Sequence, residues 1–296
     1  MLLYMTSFST FYAMEYKKSP AKTTISLDTI SKKEALEQIS PIDHFENLTN
    51  EFEYGNSSIV FSANSNPRYR VSVIGHKPLY ADDLALHQPT ARFAVEDVRT
   101  DDNSLLIGDM KTGKITRTKT GAPYSYLKML RFSPDGMKLA VVAHNRFIVF
   151  HLAHDNSCAA AVIIDPSNFE RIMAYAFNHE SSNVVVTRDD NSIRTHGFSY
   201  EKNKELGDLI AISRPFSTID VCYNNGGTEI VSVHSQGVAI YDTEDSTSIF
   251  YSLCSGQFNN NTKIFRVKNV ADAYVLLKKE NGEDSFKRID FKTIEG

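Results

Sequence analysis

Three groups of residues have types and spacing that could do chemistry. Gly108-Asp109-Met110-Lys111-Thr112-Gly113-Lys114 fits GxxxxGK, a loop whose backbone N–H groups cradle phosphates, and it follows the apolar run Leu105–Ile107. Such a loop needs Ser or Thr after the lysine to hold Mg²⁺, and a helix whose N-terminus faces the phosphate. Here Ile115 follows, and Ile115–Thr118 is rich in β-branched residues and runs on to Gly121-Ala122-Pro123. The letters therefore read as strand, turn, strand. His151 and His154 form HxxH, which suits one face of a helix; in an extended segment odd spacing puts them on opposite faces. Zinc needs three or four convergent ligands, and His44, His76, His87, His144, His179, His196 and His234 show no ligand spacing. Asp82-Asp83, Asp101-Asp102 and Asp189-Asp190 sit among turn residues, where Asp bonds nearby backbone. No GxSxG occurs, and Cys158, Cys222 and Cys254 form no CxxC. No catalytic residue, metal site or cofactor is assigned, and the chain is expected not to be an enzyme.

The elements that would position any site are short strands. In Met129–Leu152, Met129–Phe132 alternates, Ser133-Pro134-Asp135-Gly136 turns, Lys138–Ala143 is apolar, His144-Asn145-Arg146 turns, and Phe147–Leu152 runs on. Pro presets φ and Gly supplies positive φ, so each run is bounded by a turn with a mechanism. Two turns this close leave no room for a helix, and an antiparallel meander results. The pattern recurs from residue 48. Phe132, Phe177, Tyr223 and Val267 are spaced by 45, 46 and 44 residues, and further apolar runs such as Ala159–Ile164 and Ser248–Leu253 lie between copies. In a strand-rich chain this period indicates propeller blades, which bury each other's faces as no single small sheet can. The expected fold is an all-β β-propeller of four-stranded blades over residues 48–296, with six recognisable repeats and six or seven blades. Residues 1–47 are irregular. Ser31 with Glu34 forms a capping box, so a short helix is expected over Ser31–Ile39, ended by Pro41. Residues 8–27 complete a seventh blade or close the ring, the preferred closure being Thr23–Leu27 against Ser285–Phe291.

Composition narrows the function classes. The chain has 296 residues, 42% hydrophobic and 23% charged, with net charge −4 and pI near 6.1. A general nucleic-acid or anionic-membrane binder carries a basic surplus, so neither partner is expected. The apolar N-terminus lacks a basic n-region and is too short to span a bilayer, and no later stretch spans one. Three cysteines without pairing motifs suit a reducing compartment, and a cytoplasmic location is expected.

The blade of residues 129–152 resembles those of WD-repeat proteins. Phe132-Ser133-Pro134-Asp135-Gly136 and Leu139–Ala143 match that family's first turn and second strand, and Gly75-His76 its opening dipeptide. Third strands end at Gly108-Asp109, Tyr241-Asp242 and Ile289-Asp290 where the family has Trp-Asp, and at Phe150-His151 in the third copy. The chain has no Trp, so the family's hydrogen-bonded tetrad cannot be complete and packing must hold the blades. The resemblance implies a non-enzymatic scaffold or adaptor that binds other proteins. The family often holds partners on the face made by loops entering each first strand and turns before each third strand. Those loops carry Tyr124, Tyr126, Phe169, Arg171, Arg214, Phe216, Gln257 and Phe258, and aromatics and Arg are frequent hot spots. The turns Asp101–Asn103, Asp189–Asn191 and Glu280–Asp284 would make that face acidic and suit a basic partner segment. The alternatives are a hydrolytic enzyme using the central channel, and a structural subunit docked through residues 1–47.

Overall fold

The turn-bounded apolar runs pair into antiparallel ladders. The computed structural model describes residues 13–16, 23–39, 51–62, 68–81, 83–97, 104–120, 127–143, 146–164, 171–198, 207–211, 217–244, 248–252, 258–259, 261–268, 270, 273–280 and 283–293. The chain opens with β1 (Ala13–Tyr16), β2 (Thr23–Ile30) and α1 (Lys32–Gln38). Blade 1 is β3 (Glu51–Tyr54), β4 (Ser57–Phe61), β5 (Tyr69–Ser72) and β6 (Leu79–Ala81). Blade 2 is β7 (Leu84–His87), β8 (Arg92–Glu96), β9 (Ser104–Asp109) and β10 (Ile115–Lys119). Blade 3 is β11 (Leu127–Phe132), β12 (Lys138–Ala143), β13 (Arg146–Leu152) and β14 (Cys158–Ile164). Blade 4 is β15 (Ile172–Phe177), β16 (Asn183–Arg188), β17 (Ile193–Gly197) and β18 (Gly207–Ala211). Blade 5 is β19 (Thr218–Tyr223), β20 (Glu229–His234), β21 (Gly237–Asp242) and β22 (Ser248–Ser252). Blade 6 has β23 (Lys263–Arg266), β24 (Ala273–Glu280) and β25 (Glu283–Thr293) from the C-terminal end.

The protein is a β-propeller. Among the described residues it has six sheets, and those of blades 1 to 4 run in chain order from the first strand outward. Blade 6 takes its fourth strand from the other end of the chain: β2 pairs with β25 in a register that sets Leu27 opposite Ile289 and Ile30 opposite Phe286. β1 is a fifth strand on the outer edge of blade 5, pairing with β22, so the segment does not form a seventh sheet. α1 begins as its sequence dictates, with the Glu34 N–H donating to Ser31 Oγ at 3.2 Å and the Ser31 N–H donating to Glu34 Oε2 at 2.7 Å.

Blade packing follows the burial of the strands. Both faces of blades 2 to 5 are apolar, as in β12 and β20, where five of six residues in each are buried. Separate clusters lie between blades 1 and 2, 2 and 3, 3 and 4, 4 and 5, and 5 and 6. The sixth cluster differs. It packs Ala35, Leu36 and Ile39 against Phe265, Val275, Leu277 and Phe286, so α1 covers the remaining face of blade 6. No cluster among the described residues joins blade 6 to blade 1. Blade 1 accordingly alternates: Ile59, Val71, Leu79 and Ala81 are buried towards blade 2. The cross-strand row Glu51–Val60–Arg70–Tyr80 on its other face is exposed.

Candidate partner-binding face

The same device makes the first turn of blades 3, 4 and 5. Ser133, Asn178 and Asn224 each place a side-chain oxygen on a backbone N–H five residues on, at Lys138 (2.9 Å), Asn183 (2.9 Å) and Glu229 (3.2 Å). Three residues on, Gly136, Ser181 and Gly227 all have positive φ. These turns also link neighbouring blades. His87 of blade 2 contacts the Pro134 carbonyl through Nε2 at 3.0 Å and Thr90 Oγ1 through Nδ1 at 2.7 Å. Its ring must therefore donate from Nε2 and accept at Nδ1. The Asp135 N–H donates to Ser181 Oγ at 3.1 Å, joining blade 3 to blade 4. Asn225 Nδ2 donates to the carbonyls of Val267 and Val270 at 2.9 and 2.6 Å, joining blade 5 to blade 6. Arg92, buried, donates to the carbonyls of Gly136 (3.0 Å) and His154 (3.1 Å). These side-chain ties join neighbouring blades; His76 itself is exposed.

The aspartates that end the third strands of blades 2 and 5 have a local role. Asp109 Oδ1 accepts from the N–H groups of Lys111 (2.7 Å) and Thr112 (3.2 Å), and Asp242 Oδ1 accepts from Glu244 at 2.7 Å. The GxxxxGK segment is thus a tight turn between β9 and β10, with two of its N–H groups taken by the Asp109 carboxylate and the Gly113 N–H by the Asp109 carbonyl. Gly113 is needed there for its φ of 74°, and an added Cβ would lie 2.7 Å from the Ile74 carbonyl oxygen. His151 is buried and meets Phe198 edge-on at 6.0 Å, while His154 lies in a turn. Among the described residues no three His, Cys, Asp or Glu converge as metal ligands. Asp83 accepts from the N–H of Leu84 (2.9 Å) and of Leu130 (3.3 Å), tying blade 2 to an irregularity in β11 where Met129 has φ 56°. Burial of its carboxyl pushes its pKa up to about 6, against the opposing pull of those N–H groups.

In blade 4 the residue before the first strand adjoins the turn before the third strand. The Asp189 N–H donates to the Arg171 carbonyl at 2.9 Å, and the Arg171 N–H donates to Asp189 Oδ1 at 3.0 Å. Arg171 is exposed on this face. Phe258 is a correction: it is 7% exposed and packs with Cys222, Val233 and Tyr274 between blades 5 and 6. Its ring is an interior anchor, because the gap between those sheets buries more apolar area than the loop surface could. Tyr124, Tyr126, Phe169, Arg214, Phe216 and Gln257 lie outside the described residues, as does the Asp101–Asn103 turn.

The expected acidic field is also altered by the structure. Asp189 is engaged by the Arg171 N–H. Asp284 lies 4.0 Å from Lys32. Burial would raise Asp190, but bonds from Ser192 and the charges of Arg188 and Arg194 outweigh it and hold the carboxyl below its ordinary value. The signal that sequence reading missed lies on blade 1. Six large apolar side chains are exposed among the described residues, and four, Tyr54, Val60, Ile74 and Tyr80, belong to blade 1.

No protein-family profile matches the chain, and no curated protein does. Among solved structures the chain is similar to the β-propeller domain of Cps50 (Swd1) from Myceliophteria thermophila, at 11% identity and a TM-score of 0.47. The match covers 68% of this chain and 66% of that one, just under two thirds of its length.

Proposed function

We propose that this protein is a non-enzymatic propeller scaffold that binds other proteins, in a reducing, cytoplasmic setting. The observation that carries the reading is the contrast between blade 1 and the rest. In blades 2 to 5 polar side chains hold turns and apolar ones fill the spaces between sheets. Blade 1 instead presents a four-stranded face on which exposed Val60 and Tyr80 flank Arg70, with Glu51 and Glu53 beside them. A rigid sheet with exposed apolar, aromatic and Arg side chains suits association, because little ordering entropy is lost on binding. Three cysteines without pairing motifs agree with a reducing compartment. No helix among the described residues is long and apolar enough to cross a membrane.

Docking through the N-terminal segment has less support. β2 is a strand of blade 6 and α1 covers its face, so much of that segment is already used within the fold. The test is affinity purification with mass spectrometry on the wild type and on Val60→Asp/Tyr80→Asp. The double variant is expected to lose a defined set of partners with an unchanged unfolding temperature, since both side chains are exposed. Identical partner sets for the two proteins would refute this placement.

A further inference from the structure

The outer strands of the six sheets differ in how their edges are guarded. A strand edge presents a row of N–H and C=O groups, and proteins blunt it with charge, with short length or with a further covering element. β10 carries Arg117 and Lys119, β18 carries Asp208, β2 carries Asp28, and β6 is three residues long. β22 has no charged residue, and there the chain supplies β1 as a fifth strand, from Ala13 opposite Tyr251 to Tyr16 opposite Ser248. β14 is the exception. Its seven residues, Cys158 to Ile164, include no charge and no proline. Among the described residues no strand lies on its outer edge, and Ala159 and Ala161 are exposed.

The strand's own pattern says what fits this edge. Its pairing with β13 is regular from Ala160 opposite His151 to Ile164 opposite Phe147, and a bulge at Ala159 ends the regular run. Within that run side-chain size rises along the chain: Ala160, Ala161, Val162, Ile163, Ile164. An antiparallel neighbour that sets large residues against small ones must carry the same gradient read backwards. A second copy of β14, turned about a two-fold axis at Val162, carries it. Ala160 then faces Ile164 of the second copy, Ala161 faces its Ile163, and the two Val162 residues face each other. Opposed Cβ atoms of such pairs lie about 4.5–5.5 Å apart, close enough for their sizes to matter. Small against large keeps the volume even along the joint, whereas a parallel copy in register would set Ala on Ala and Ile on Ile. No like charges are opposed, because the run has none.

We propose that blade 3 pairs edge to edge with blade 3 of a second copy of this chain, β14 against β14. The four strands of each copy then form one continuous antiparallel sheet across a two-fold dimer. Main-chain hydrogen bonds supply the contact, and the self-complementary run fixes its register. This edge is separate from the exposed face of blade 1, so the dimer and the partner-binding reading of that face fail independently.

The test is sedimentation equilibrium on the full chain over a dilution series, with Ala161→Lys and Ala161→Glu beside the wild type. The wild type should pass from twice the chain mass of 33.3 kDa to that mass as it is diluted. Either variant sets two like charges on one face of the joint, in diagonal positions about 7–8 Å apart, and should weaken association about threefold or more. Ala161 is exposed, so the unfolding temperature should not change. An equimolar mixture of the two variants should associate more tightly than either alone, because opposite charges then meet. Val60→Asp/Tyr80→Asp, altered on blade 1, should dimerise as the wild type does. The wild-type measurement keeps the test decisive if a variant fails to fold. The proposal is overturned by a wild type that stays at the mass of one chain, or by variants that dimerise as tightly as it does. A mixture no tighter than its components, or loss of the dimer in the blade 1 variant, overturns it equally.

Discussion

Replacing Gly136 by Ala tests whether the first turns hold neighbouring blades together. Gly136 has φ 69°, and a Cβ there would lie 2.6 Å from Cε1 and Nδ1 of His87. Two effects add. A non-glycine residue in the left-handed region costs about 1–2 kcal/mol. The methyl also displaces a ring that bonds Thr90 and the Pro134 carbonyl, and each such bond contributes about 1 kcal/mol net. The total is about 3–4 kcal/mol. With an unfolding entropy of about 2.1 cal/mol/K per residue, a chain of this length loses about 5–6 °C in Tm. Gly55→Ala is the control, because Gly55 has φ 59° and nothing within 4 Å of its added Cβ. It carries the backbone effect alone, about 1–2 kcal/mol or about 2–3 °C. Differential scanning calorimetry on both variants separates the terms. Equal losses would show that the contact between His87 and Gly136 holds nothing, and the inter-blade reasoning would fail.

Two further outcomes concern protons. Burial chiefly holds His87 and His151 below the ordinary 6.5, so the unfolded chain takes up protons there before the folded one does. Their contribution is complete above pH 6.5 and is lost as pH falls through that value towards their folded pKa. Urea midpoints should therefore fall less between about pH 7.5 and 5.5 in His87→Asn than in wild type. Parallel curves for the two proteins would contradict the assignment. Asp83 acts oppositely: its pKa is raised, so its contribution favours the fold as pH falls through about 6, equally in both proteins. Carboxyl carbon NMR should show Asp83 titrating at about 6 and exposed Asp155, lowered by its bonds from Ser157, at about 2. An ordinary midpoint for Asp83 would mean that its carboxyl is not buried against β11.

Much of the architecture was legible because it rests on local rules. Ser133-Pro134-Asp135-Gly136 turns by its own side-chain oxygens and positive-φ glycine, and Asn178 and Asn224 repeat the device one period on. Ser31 with Glu34 starts a helix whichever sheet lies beneath it. The GxxxxGK letters could be read as a turn because Ile115 and its β-branched neighbours exclude a helix. The candidate site was far less legible. A loop phenylalanine reads the same whether it faces a partner or the core, and Phe258 went inward. An acidic turn reads as bare charge until Arg188 and Arg194 are seen beside Asp190.

The sequence by itself determined the strands, their turns and their period, because φ preferences and side chain to backbone bonds act within a few residues. It offered the pairing of Thr23–Leu27 with Ser285–Phe291 beside a seventh blade, and the ladder of Thr23–Ile30 with Glu283–Thr293 decided between them. Only the tertiary structure decided what each blade face meets: α1 on blade 6, solvent on blade 1. It alone put β1 on the outer edge of blade 5 and no described strand on that of blade 3. Such meetings depend on how whole sheets stack, and no spacing along the chain encodes them.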